Sequence, residues 1–343
     1  MLIEDIAVGS KHRPVVIAEL GINHAGKLAN ALLLAKIAID NGAKIIKHQT
    51  HIPDFEMSFE ARSVIPGNAK ISIYEVISEN SISLDDELEL AKYVKSRGAV
   101  YLSTPFSREA ADFLNNTINV PAFKIGSGEC NNYPLVEHIA KFGKPIIMST
   151  GMNTIESITP AVQILRKYNI PFALLHCTNL YPTADKLIRL EAIKELEVNF
   201  PDAVLGLSDH SLTNYPCLGA VALGASILER HFTDTKERIG PDIICSMTPI
   251  ELVELINGTN IIYNTLGHGK RAISEEEVTM AFAFSSVVAT KDIESGEKLS
   301  SDNIWVKRPS GGDFGPSELQ NLYGKSAVTR IPANTQLKKN QID

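Results

Sequence analysis

The chain has 343 residues, 44% of them hydrophobic, and a formal charge of -7. That length exceeds an average domain and accommodates a large barrel with an appendage. An acidic balance without a basic stripe excludes the footprint of a nucleic-acid binder, and no apolar stretch approaches the roughly 18 residues of a membrane span. An anionic ligand would therefore have to be held by local lysines and arginines against the global field. The N-terminus has no apolar leader core, so a cytoplasmic protein is expected. Cys130, Cys177, Cys217 and Cys245 match neither a zinc ribbon nor a CxxC spacing, and are expected to be free, buried thiols.

Strand signals come in chain order at VVIAEL (15–20), KIIKHQT (44–50), AVYLST (99–104), AFKIGS (122–127), PIIMST (145–150), FALLHC (172–177), AVLGLS (203–208) and SILERHF (226–232). Segments of helical periodicity separate them. Leu84, Leu88 and Ala91 recur at helical spacing after Ser83, a predicted N-cap, and before Gly98, a predicted stop. Near-continuous apolar strands, each followed by a helix, predict a parallel sheet covered on both faces. Eight such units close into a (β/α)8 TIM barrel, an α/β fold. A doubly wound open sheet is the competing architecture, but ELGINHAG after the first strand lacks its Gly-rich loop. The long stretch from His51 to about Asn80 is expected to cover the barrel mouth. The barrel is assigned to residues 1–268, a linker to 269–281, and a small β-rich domain with the single tryptophan, Trp305, to 282–343.

Chemistry in a barrel collects at the C-terminal strand ends. Those ends read Glu19; Lys47 with Gln49; Thr104; Lys124, Ser127 and Glu129; Ser149; Asn179 with Tyr181; Ser208 with His210; and His231. Lys47 and Lys124 lie between apolar neighbours and are expected to point inward. A buried ammonium is costly unless an anion meets it. The plain reading is a structural bridge to Glu19 or Glu129; the functional one is a phosphorylated or carboxylated ligand, with Ser127, Ser149, Asn179 and the 126–128 backbone as further donors.

His210 and His231 close neighbouring strands and would form an open divalent-metal site. An N/O environment suits Mn²⁺, with Mg²⁺, Co²⁺ or Zn²⁺ as alternatives. Asp209 and Glu229 are expected to orient the rings; His24, His48, His51 and His176 are weaker candidates. Glu19 and Glu129 are the carboxylates suited to proton handling or to stabilising a cationic intermediate. Arg308 sits in the Gly-rich WVKRPSGGDFG of the tail, either exposed to solvent or reaching a barrel mouth.

The motifs AELGINH, KHQTH, IPGNAKISIYE, STPFSR, FKIGSGECNNYPL, STGM, LHCTNLYPT, GLSDH and LERHFT closely resemble the bacterial sialic acid synthase family. The tail resembles that family's antifreeze-like (SAF) domain. The resemblance covers nearly the whole chain. It implies condensation of phosphoenolpyruvate with the open-chain aldehyde of N-acetylmannosamine, with phosphate leaving by C–O cleavage. By that resemblance His210 and His231 match the metal ligands. Lys47, Lys124, Ser127, Ser149 and Asn179 match the phosphoenolpyruvate site, and Glu19 and Glu129 the reacting centre. Gln49, Asn68, Thr104, Tyr181, Ser208, Asp242, Phe282 and Arg308 match positions around the sugar. The family's domain-swapped homodimer would bring Arg308 to the partner's barrel. A legionaminic or pseudaminic acid synthase is the near alternative, a non-catalytic barrel with a binding tail the distant one, and a metal-dependent aldolase a third.

Overall fold

Apolar β-branched runs flanked by capped helices build a ring of eight parallel strands. They are β1 (Val15–Glu19), β2 (Ile45–Thr50), β3 (Val100–Pro105), β4 (Phe123–Ile125), β5 (Ile146–Ser149), β6 (Phe172–Cys177), β7 (Val204–Asp209) and β8 (Ile227–His231). The order is β3-β2-β1-β8-β7-β6-β5-β4, and β3 and β4 lie side by side at the seam, so the barrel is nearly closed. The computed structural model describes every residue except Asn68 and His268. It divides into two units, Met1–Leu266 and Gly267–Asp343.

Helices alternate with the strands: α1 (Leu28–Asp40), α2 (Leu84–Ser96), α3 (Arg108–Phe113), α4 (Tyr133–Ala140), α5 (Ile155–Lys167), α6 (Ala192–Asn199), α7 (Tyr215–Ala222) and α8 (Pro249–Thr265). Their starts follow local chemistry. Ser83 accepts from the Asp86 amide at 3.1 Å, Ser107 from Ala110 at 3.1 Å and Asn132 from Leu135 at 3.3 Å. Gly98, at φ +75°, lies just beyond the end of α2. One apolar cluster fills the layer between sheet and helices. A second fills the barrel interior from Val15, Ile17, Ile45, Val100, Leu102, Ala122, Ile147, Ala173, Leu175 and Ile227. A short N-terminal hairpin, Leu2–Ile3 with Ile6–Ala7, adds Ile3 and Val8 to that inner cluster. One end of the barrel is thus apolar and plugged, which leaves the C-terminal strand ends for chemistry.

The second unit pairs β9 (Ser286–Ala289) antiparallel with β10 (Ile304–Lys307), around its own core of Val287, Ile293, Leu299, Ile304, Ile331 and Leu337. Helix Glu277–Ala283 occupies the end of the segment expected as linker. Among the described residues no helix is long and apolar enough to cross a membrane.

Candidate active site

Inward positions on a strand recur every second residue. Two residues beyond the apolar inner cluster, each strand places one residue in a common chamber. These are Glu19, Lys47, Thr104, Lys124, Ser149, Cys177, Ser208 and Glu229. One step further, Gln49, Phe106, Gly126, Asn179, His210 and His231 line the same chamber, whose volume is about 130 Å³. The alternation that buries Ile17, Ile45 and Leu102 below therefore aims the chemistry above them.

The first ring is charged and nearly dry. Lys47 is ion-paired with Glu19 and stands 3.7 Å from Glu229, while Lys124 stands 3.8 Å from the same Glu229 oxygen. Lys47 donates to the Thr104 hydroxyl at 3.0 Å, and Lys124 to the Ser149 hydroxyl at 2.7 Å and the Ile125 carbonyl at 3.0 Å. Ser208 donates to Glu229 at 3.3 Å. Burial opposes charge on all four ionisable groups, and the neighbours decide the outcome. On Lys47, Glu19 and Glu229 outweigh burial and raise the pKa; on Lys124 burial wins over Glu229 and lowers it. Glu229 is held below the usual carboxylate range because Lys124 and Lys47 overcome burial. Glu19 is pushed up to about 7, first by burial, with Lys47 opposing and Glu229 adding to the rise. Glu229 is the resident anion, and Glu19 is the carboxylate able to hold a proton near neutrality.

Ser127 and Asn179 form the adjoining wall. The Gly151 amide donates to Ser127 Oγ at 3.0 Å, and a Cβ on Gly151 would lie 1.9 Å from Asn179 Oδ1, so only glycine admits that approach. The imidazoles of His210 and His231 face each other with centroids 5.5 Å apart, and Tyr181 lies 4.1 Å from the first and 5.9 Å from the second. His210 Nδ1 is 3.0 Å from the Thr178 carbonyl and 3.8 Å from Cys177 Sγ. Burial disfavours its charge, but Cys177 and that carbonyl prevail and push it up to about 9. His231 is driven well below the ordinary imidazole value by burial and then by His210. Among the described residues its buried Nδ1 has no hydrogen-bond partner, and it lies 3.6 Å from Asp242 Oδ2. Burial in turn pushes Asp242 up to about 6. Among the described residues no three His, Cys, Asp or Glu side chains gather as a ready metal cage.

Gln49, Tyr181 and His231 also line a wider outer chamber of about 600 Å³. Its walls include Ile22, Ile73, Val76, Ile77 and Ile239, with Asp242, Asn80 and Lys70 as polar members. The 51–80 stretch supplies much of this wall, through a helix at Ile73–Asn80 started by a Ser72–Glu75 capping box.

The chamber thus gathers most of the residues read from the strand ends. Glu129 is an exception. The chain turns into a 3-10 helix at Ser127, which carries Glu129 off the inward row, so that it does not line the chamber. It accepts from Asn132 at 2.6 Å, and the expected bridge to a lysine is not formed; burial raises its pKa. Asp209 and Glu229 do not bond the imidazoles among the described residues. Asp209 neighbours His210 in sequence and so faces the other side of the sheet, where it pairs with Arg230 at 3.3 Å and accepts from Ser211. Glu229 serves the lysines instead, and counting back by two from His231 identifies it in the sequence. Cys177 emerges by the same count. His51 stacks on Phe106 and His176 bonds the Ile188 carbonyl, while His24 and His48 lie buried behind the barrel wall. All four cysteines are free and buried. Asn68 lies outside the described residues. Phe282 and Arg308 belong to the second unit, where both are exposed.

A (β/α)8 barrel with a charged strand-end chamber, followed by a separate small β unit, defines the architectural class. The chain belongs to the NeuB family, whose sequence profile matches residues 34–271, and its tail is a SAF domain, matched over 284–343. It is 36% identical to the N,N'-diacetyllegionaminic acid synthase of Campylobacter jejuni, over 92% of this chain and 96% of that one. It is 32% identical to the human N-acetylneuraminate-9-phosphate synthase, over 98% and 94% respectively. The crystal structure of the N-acetylneuraminic acid synthetase of Leptospira borgpetersenii superposes with a TM-score of 0.74 at 30% identity, over 82% of this chain and 94% of that one.

Proposed function

We propose that this protein condenses phosphoenolpyruvate with the open-chain aldehyde of N-acetylmannosamine and water, giving N-acetylneuraminate and phosphate. The observation that carries the reading is the charged ring, in which Lys47 and Lys124 share Glu229 inside a small chamber that has Gln49, Tyr181 and His231 in common with a wider one. A compact polyanion and a larger neutral sugar need such a pair of compartments.

Lys47 and Lys124 bind the phosphate and carboxylate of the enol ester, helped by Ser127, Ser149 and Asn179, and hold its C3 toward the sugar aldehyde. C3 forms the new carbon–carbon bond, water adds at C2, and the C2–O bond to phosphate then breaks. Glu19, with a pKa of about 7, is suited to hold or pass a proton at the reacting centre, and Glu129 is the second carboxylate proposed there. Gln49, Asn68, Thr104, Tyr181, Ser208 and Asp242 are assigned to the sugar side.

The residues present fit a divalent metal, because His231 Nδ1 is buried with no hydrogen-bond partner among the described residues while the Thr178 carbonyl orients the His210 ring. His210 and His231 would hold it, and Mn²⁺, or else Mg²⁺, Co²⁺ or Zn²⁺, when bound would polarise the sugar's carbonyl. Phe282 is assigned to the sugar side, Arg308 to the partner's barrel in a domain-swapped homodimer, and the enzyme to the cytoplasm. The apolar walls of the outer chamber favour one second reading, a 6-deoxy diacetamido acceptor leading to a legionaminic or pseudaminic acid.

The test is phosphate release from phosphoenolpyruvate with a panel of these acceptors. Chelation or His210→Ala should abolish turnover, with Mn²⁺ restoring the chelated wild type. Undiminished turnover after either would remove the metal from the reading, and no release with any acceptor would remove the synthase.

A further inference from the structure

Behind β2, on the face opposite Lys47 and Gln49, lies a polar network within the otherwise apolar layer between sheet and helices. Glu87 of α2 is 1% exposed. It accepts from Thr50 at 2.6 Å and Tyr101 at 2.9 Å, and lies 3.4 Å from His48 Nδ1. His48 Nε2 in turn lies 3.1 Å from His24 Nε2. Groups of this kind are costly to bury unless they are paired, and among the described residues His24 Nδ1 and His48 Nδ1 make no hydrogen bond, so the carboxylate contact at 3.4 Å is what compensates His48. Burial works against charge on Glu87, but His48 and the two hydroxyls keep its pKa below the usual value. No lysine or arginine pairs with it among the described residues, and His48 is the basic side chain nearest to it, at 3.4 Å. His24 is pushed down to about 3, first by burial and then by His48, so it stays neutral, and the tautomers of the two rings set which Nε2 donates across their contact.

His24 ends the segment that frames the His231 corner. Gly21, at φ +52°, lies so close to His231 that an added Cβ would stand 2.8 Å from Nδ1 and 3.4 Å from Asp242 Oδ2. Asn23 donates to the Phe232 carbonyl at 2.9 Å and to Ser246 Oγ at 2.8 Å, and Ser246 donates to the Asp242 carbonyl at 2.7 Å. The segment Gly21–His24 is thus pinned to the site by Asn23 and to the network by His24.

We propose that Glu87 is a positioning residue, acting through His48 and His24 to fix the Gly21–His24 segment against His231 and Asp242. The inference rests on the metal reading above. Groups that hydrogen-bond a metal ligand directly typically change metal affinity 10- to 100-fold when removed, so the low end of that range is expected for this longer relay.

The test measures Mn²⁺ affinity of the full chain from the EPR signal of unbound Mn²⁺, beside thermal melts. Glu87→Gln is expected to weaken binding about 10-fold. In a His24→Gln background it should add less than about twofold, because one relay is already cut. Tyr101→Phe removes another hydrogen bond to the same carboxylate but lies off the path to His24. It should lower the melting temperature and leave the Kd within about twofold. Should Glu87→Gln not fold, His24→Gln carries the same 10-fold expectation. Affinity falling in step with melting temperature across all variants would overturn the proposal, as would unchanged affinity in folded Glu87→Gln. His231→Ala separates the two levels: if it binds Mn²⁺ normally, the metal reading itself falls, and this inference with it.

Discussion

Glu229→Gln removes one charge from the chamber without changing shape. Glu229 stands 3.7 Å from the Lys47 ammonium and 3.8 Å from that of Lys124. At about 4 Å such a contact is worth roughly 4 kcal/mol at an effective dielectric near 20, before the penalty of burying the ions. What the variant measures is the stranded partner. Lys47 keeps Glu19, but Lys124 has no other carboxylate within salt-bridge distance among the described residues. Breaking a buried pair from one side costs about 3–5 kcal/mol. The barrel's unfolding free energy in urea should therefore drop by about 3 kcal/mol at neutral pH. Inorganic phosphate should restore more stability to the variant than to the wild type, because the chamber has gained one net positive charge and binding to the native state stabilises it. A loss below about 1 kcal/mol, or equal stabilisation of both proteins by phosphate, would refute the placement of Glu229 as the shared counter-ion.

Gly151→Ala would force its Cβ to within 1.9 Å of Asn179 Oδ1 and 2.9 Å of Ser127 Oγ. Displacing those groups by about 1 Å should lower kcat/KM for phosphoenolpyruvate roughly 100-fold in initial-rate assays, and a change below threefold would count against Asn179 and Ser127 as ligands. His24, held neutral with its pKa at about 3, gives a pH signature. Its unfolded value is about 6.5, so between those limits the unfolded chain binds the extra proton and stability falls as pH falls, by at most about 1.4 kcal/mol per unit. Urea midpoints between pH 7 and 5 should show a slope of this sign, shared with His231 and His176, whose values are also lowered, and His24→Gln should reduce it; an unchanged slope would assign the proton elsewhere. Glu87, with its depressed pKa, adds its own loss only below the ordinary carboxylate range. Mixing subunits of Arg308→Ala and His231→Ala, each inactive alone, should restore activity if Arg308 serves the partner's barrel. Failure of mixed dimers to regain turnover would place Arg308 in its own subunit's site or in none.

Much of the barrel was legible because its signals are local. Each apolar run with a capped helix behind it is one unit, and alternation sends Glu19, Lys47, Thr104, Lys124, Ser149 and Ser208 inward together. The same alternation puts Asp209, one residue before His210, on the outer face, and Glu229, two residues before His231, on the inner face but one layer down, level with the lysines. Glu129 escaped for another reason: a turn of 3-10 helix begins two residues before it, and the strand count no longer applies.

By itself the sequence determined which residues face the interior, which end of each strand is polar, and where the helices start. Only the tertiary structure decided that one Glu229 oxygen lies within 4 Å of ammoniums from two distant strands, and that His24 reaches His48 and Glu87 behind the wall. Parity is set by the backbone of a single strand. Distances across a barrel depend on register and closure, which arise from many contacts remote in sequence.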